Sequence, residues 1–129
     1  MKEIQETLVA ARAIVERGWA KFAMTDGEGN FCLKAAIGLA CGAYEMVGKE
    51  VGMPRLDYAT ATGDQLRARA TALRSELATM DLVRQWLPSG FDCIPVFNDD
   101  PRTGQTEVLA VLDDAILFAS AQQYSPVSA

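Results

Sequence analysis

Residues 31–47, FCLKAAIGLACGAYEMV, constrain this chain more than any other stretch: of seventeen positions only Lys34 and Glu45 carry charge. A helix that is apolar on nearly every side is stable in a small protein only at the centre of the core. Asn30 reads as its N-cap, with the side-chain oxygen accepting first-turn amides. Gly38 and Gly42 lie four apart on one face and allow another element to approach closely. The run is interrupted and shorter than the roughly 20 residues a bilayer span requires, so it reads as core and not as a membrane helix.

With 129 residues, half of them hydrophobic, the chain has material for one core and too little length for two. Residues 1–121 are expected to form a single globular domain, and 122–129 a polar, frayed tail. Around the central helix the periodicity places three more. Ile4, Leu8, Ala11 and Val15 share one face of a helix from Lys2 to Arg17, which Gly18 ends. Leu66, Ala70, Leu73, Leu77 and Met80 form the stripe of a third, capped by Asp64. Val108, Leu112, Ala115, Ile116 and Ala119 share a face of the last, with Thr103 or Thr106 as cap and Glu107 in its first turn.

Two short extended segments complete the pattern. Residues 19–24 alternate imperfectly and run into the DGEGN turn, where Gly27 accepts positive φ. Residues 92–97 alternate through Phe91, Cys93 and Phe97, but Pro95 confines them to an edge. The expected fold is α+β and mostly helical: four helices, with the two extended segments placed to pair.

Charge and cysteine usage narrow the functions. Residues 89–129 hold one basic and six acidic groups, so the net charge of −5 sits in the last third. An acidic surface repels phosphate backbones, and no basic run interleaved with aromatics occurs, which argues against direct nucleic-acid binding. Arg67, Arg69 and Arg74 are the only basic concentration, read as a solvated helix face before a docking patch for an acidic partner. Three cysteines cannot all pair within one chain, and nothing resembles a signal peptide, so a reducing, cytoplasmic setting is expected. The DGEGN stretch fails as a calcium loop, because counting from Asp26 puts Phe31 and Ile37 where glycine and glutamate are needed.

Cys32 is the sharpest chemical candidate. In the first turn of a helix a thiol is activated by free amides and the helix dipole. The chain contains no histidine, however, and acyl transfer by cysteine ordinarily needs one as base and acid. Core packing is the reading favoured for Cys32. No close cysteine pair suits zinc, and no phosphate-binding loop, nucleophile elbow or dinucleotide fingerprint occurs. The triplet Asn98, Asp99 and Asp100 offers carboxylates for acid–base work or one Mg²⁺, although turn and cap formation explains them more simply. No cofactor and no metal are expected.

The motifs RGW (17–19), FCLKAAIG (31–38), VFNDD (96–100) and TGQTEVLAVLDDAI (103–116) follow one another in an order that resembles a family of small bacterial and phage proteins classed as a domain of unknown function. Phe97 stands where the resemblance expects tryptophan, and Ala36 and Ile37 precede the helix glycine. The resemblance implies a shared fold and marks Cys32, Asn98 and Asp99 as positions to examine, without supplying a mechanism; together with Trp19 they are the binding candidates. The function expected is that of a non-enzymatic binding protein, acting on a partner protein or a small-molecule ligand. A mobile-element inhibitor of a host-defence factor, or a sponge for its signal nucleotide, is a specific version. The alternative is a small hydrolase or transferase using Cys32 or the Asn98–Asp99–Asp100 triplet.

Overall fold

Leu8, Ala11 and Val15 are wholly buried on one face of α1 (Lys2–Arg17), with Ile4 packed at its edge, as the spacing predicts. That face lies against α2 (Leu33–Cys41) and α5 (Gln105–Gln123), its two most extensive neighbours. The structure, a computed structural model, describes residues 2–123. On α5, Val108, Leu112, Ala115 and Ala119 are fully buried and Ile116 partly so.

α2 is the central helix, with Leu33, Ala35, Ala36, Ile37 and Gly38 all buried, but it is shorter than the expected 31–47. Gly42 adopts the left-handed conformation (φ 82) and its N–H bonds the Leu39 carbonyl, so it stops the helix instead of serving as a packing notch. Gly38 does admit a close neighbour, the Tyr44 ring: a Cβ at that glycine would stand 1.9 Å from Tyr44 Cδ2. The cap is Cys32, not Asn30, because Cys32 Sγ accepts the Ala35 N–H at 3.4 Å. Asn30 closes the preceding turn, its amide donating to the Asp26 carboxylate at 2.6 Å.

The two segments expected to pair as strands, 19–24 and 92–97, do not. The first makes only isolated bridges, Trp19 at its start and Thr25 just past its end each opposite Phe31. The second belongs mostly to α4 (Ile94–Asp99), where Pro95 sits in the first helical turn and its missing N–H removes no helical bond. Strand pairing occurs in the tail of the apolar run instead. β1 (Glu45–Val47) pairs antiparallel with β2 (Glu50–Gly52) across the Gly48–Lys49 turn, in which Gly48 has φ 63. The fold is therefore α+β and mostly helical, with five helices among the described residues rather than four.

α3 (Gly63–Gln85) is capped by Thr62, which forms a reciprocal capping box with Gln65, while Asp64 lies within the first turn and pairs with Arg67. The expected stripe is only partly its inner face: Ala70, Leu73 and Met80 are half-buried, Met80 against the core, but Leu66 is 40% and Leu77 61% exposed, whereas Glu76, Thr79, Leu82 and Val83 are buried. Length explains part of this. α3 is about 35 Å long and α2 about 14 Å, so the first turns of α3 overhang its partner. α5 starts after Gly104, not Thr103 or Thr106 as cap; Gly104 N–H donates to Glu107 Oε1 at 2.7 Å. Gln122 and Gln123 remain helical, and the rest of the expected tail, 124–129, lies outside the described residues. Among the described residues no helix is long and apolar enough to cross a membrane.

Candidate functional site

Asn98, at the end of α4, is buried and uses both ends of its amide. Its Oδ1 accepts the Trp19 indole N–H at 2.8 Å and the Leu33 N–H at 3.0 Å, which ties α4 to the first residue of α2. Its Nδ2 donates to the Ala20 carbonyl and to Asp99 Oδ1, both at 3.0 Å. Asp99 Oδ1 in turn accepts the Phe22 N–H at 2.9 Å. The pair therefore bonds backbone groups, as expected of Asx residues, but fastens the 19–22 segment and α2 and not the start of the last helix. Asp100 shapes that approach: its carboxylate accepts the Arg102 N–H at 2.8 Å and Nε–H at 2.9 Å. These bonds to Arg102 hold the Asp100 carboxyl below the usual carboxylate range.

Three of the four sequence candidates meet at a cleft of about 180 Å³, lined by Cys32, Asn98 and Asp99 with Phe22, Ala23, Met24, Lys34 and Pro95. Trp19 does not line it; its ring stands behind Asn98, with Lys21 Nζ 5.4 Å from the ring centroid. Lys34 donates to the Tyr44 hydroxyl at 2.9 Å. Sequence reasoning missed Phe22 and Lys34. Lys34 carried a usable signal as the single charge inside α2, whereas the importance of Phe22 lies in a backbone angle that composition does not encode.

At Phe22 the backbone has φ 69, the only non-glycine residue with positive φ among the described residues. Its ring is 77% exposed. A bulky residue in that region costs on the order of 1–3 kcal/mol and persists only where the surroundings impose it. The Asp99 bond to its N–H is such a constraint.

Cys32 is buried, and burial pushes its thiol above the ordinary cysteine pKa; Asp99 adds to the rise, against the opposing hydrogen bond from the Ala35 N–H. A neutral thiol that accepts a capping bond is the opposite of an activated nucleophile. Cys32 is accordingly expected to react with iodoacetamide more slowly than a free thiol in the folded protein. Cys32→Ser is expected to lose about 1–3 kcal/mol in denaturant melts, because a hydroxyl matches the apolar surroundings poorly. Because the folded pKa is raised, the thiol's contribution to stability is full below the unfolded pKa and is lost as pH rises through the folded value. Alkylation faster than that of a model thiol would overturn the assignment.

In the triplet at 98–100, Asn98 Oδ1 accepts the Trp19 indole and Leu33 N–H groups, Asp99 Oδ1 accepts the Phe22 N–H, and the Asp100 carboxylate turns to Arg102. Among the described residues no group of three or more histidine, cysteine, aspartate or glutamate residues could hold a metal ion. Cys32, Cys41 and Cys93 are free thiols.

Residues 1–117 match the model of a family described as "Family of unknown function (DUF6197)". No curated protein and no solved structure matches the chain. The match runs from α1 into α5 and takes in every residue of the cleft, so the chain belongs to this family of unknown function.

Proposed function

We propose that the protein is a non-enzymatic binding protein that engages a partner protein at the Phe22 face of the cleft. The observation that carries this reading is Phe22 itself: an aromatic ring 77% exposed, on a left-handed backbone, fixed by Asp99 at the edge of a cleft. Strain of this kind clusters at functional positions. A ring standing out into solvent adds contact area to a large partner, as interface aromatics do, but encloses no small molecule. Pro95 at the cleft and Val96, 60% exposed, extend the apolar surface on α4. The raised pKa of Cys32 supports binding over nucleophilic chemistry, and three free thiols fit a reducing, cytoplasmic setting. Inhibition of a host factor by a mobile-element protein is the version that the partner-binding reading accommodates most directly.

Phe22→Gly separates the two roles of the residue. Glycine accepts positive φ freely, and the ring buries little, so the melting temperature is expected to hold or rise slightly. Phe22→Asn, which also tolerates this conformation, is the companion variant. Immobilised wild-type protein and both variants are to be compared in extracts of the native host by mass spectrometry. A protein retained by wild type and lost from both folded variants is expected; an identical retained set would sink the proposal.

A further inference from the structure

A second cleft, of about 240 Å³, lies between the loop after β2 and the overhanging first turns of α3. Arg55 and Arg69 both line it, with apolar walls from Pro54, Leu56, Ala68 and Ala72, and none of its lining residues is acidic. Arg12, Arg67, Arg84 and Arg102 each pair with a carboxylate, whereas Arg17 and Arg74, like Arg55 and Arg69, form no ion pair among the described residues; what sets Arg55 and Arg69 apart is that they share one cleft. Arg69 instead donates to the Pro54 carbonyl and, at 3.3 Å, to the Tyr58 hydroxyl, neutral acceptors that orient the guanidinium without cancelling its charge. Arg55 is exposed, and among the described residues it has no hydrogen-bond or ion-pair partner. Two uncompensated guanidinium groups thus share one concave surface of a protein whose net charge is −5.

We propose that this cleft binds a small phosphate monoester, with Arg55 and Arg69 holding the phosphoryl group and the apolar walls covering the organic part. The planar guanidinium fork matches phosphate oxygens in a bidentate manner. A phosphate monoester carries close to two negative charges at neutral pH, which balances the pair, whereas a carboxylate leaves one guanidinium unmatched. A nucleic-acid backbone is a poor candidate, since the acidic remainder of the surface repels an extended polyanion. The site is separate from the Phe22 cleft, and the proposal stands or falls independently of partner binding there.

The test uses the full chain labelled with ¹⁵N, titrated at low salt with phenyl phosphate, and in parallel with phenol and inorganic phosphate. Saturable shifts of the amides of 55–57 and 65–72 are expected with phenyl phosphate, competition from inorganic phosphate, and no shift with phenol. Arg55→Ala, which breaks no bond of the fold, is expected to keep its melting temperature and to weaken the apparent Kd on the order of tenfold. Arg55→Lys is expected to fall between. Phe22→Gly is expected to leave the titration unchanged. Unchanged affinity in Arg55→Ala, shifts spread equally to Arg17 and Arg74, or no saturable shift in the millimolar range would each overturn the proposal.

Discussion

Asn98→Ala is expected to destabilise the protein by about 3–5 kcal/mol, read as a fall in melting temperature on the order of 10–20 °C. The substitution deletes four hydrogen bonds at once and strands three groups behind them: the Trp19 indole N–H, the Leu33 N–H and the Ala20 carbonyl. A stranded buried donor or acceptor costs about 1–3 kcal/mol, more than the net worth of the bond it loses. Asn98 as an exposed turn former would account for only about 0.5–2 kcal/mol, so burial decides the magnitude. Asn98→Asp keeps the two acceptor roles, loses the donor to Ala20 and sets a second carboxylate against Asp99. Its loss is expected to be smaller than that of alanine at pH below the carboxylate range and to grow as pH rises. A loss of under about 1 kcal/mol for Asn98→Ala would mean that water or backbone movement replaces the network.

That network shows what a sequence makes legible and what it does not. α1 and α5 were readable because each presents a buried stripe at helical spacing to a broad neighbour, Leu8 and Val15 on one and Val108 and Leu112 on the other. The stripe on α3 misled because periodicity says that a face is apolar, not that anything lies opposite it. Leu66 faces solvent on the overhanging first turns and Leu77 points away from the buried face of Glu76, Thr79 and Val83, while Glu76 is drawn inside with Oε2 lacking a hydrogen-bond partner among the described residues. Pro95 misled differently, since a proline that forbids a central strand is equally at home in the first turn of a helix. The hairpin was hidden because Tyr44 to Val47 read as a continuation of an apolar helix, and only the left-handed Gly42 breaks it. At the site, Cys32, Asn98 and Asp99 do converge, yet the residue that gives the cleft its character, Phe22, is set by tertiary strain that no local pattern reports. The overhang of α3 that leaves Leu66 in solvent is also what makes room for the arginine-lined cleft.

Phe97→Ala is expected to have an effect of similar size, about 3–5 kcal/mol, through a cavity and not through polar groups. Phe97 is wholly buried and is the largest such side chain among the described residues. Its ring meets Phe91 edge-on, with centroids 5.5 Å apart and planes at 70°, and the Arg102 guanidinium lies 5.5 Å from the Phe91 ring. α4 has six residues, too few to hold helical structure by itself, so Ile94 and Phe97 fasten it to the core. The same short helix presents Asn98 and Asp99, and through them fixes Trp19, Phe22 and the start of α2. Removal of the Phe97 ring should therefore loosen the cleft before the whole fold is lost. Under native conditions Cys32 in Phe97→Ala is expected to be alkylated faster than in the wild type, and faster than the change in global stability alone accounts for. Phe97→Leu, which keeps most of the volume, is expected to lose less stability and to protect Cys32 nearly as well. Equal Cys32 reactivity in wild type and Phe97→Ala, with the full stability loss measured, would show that α4 docks without its aromatic anchor.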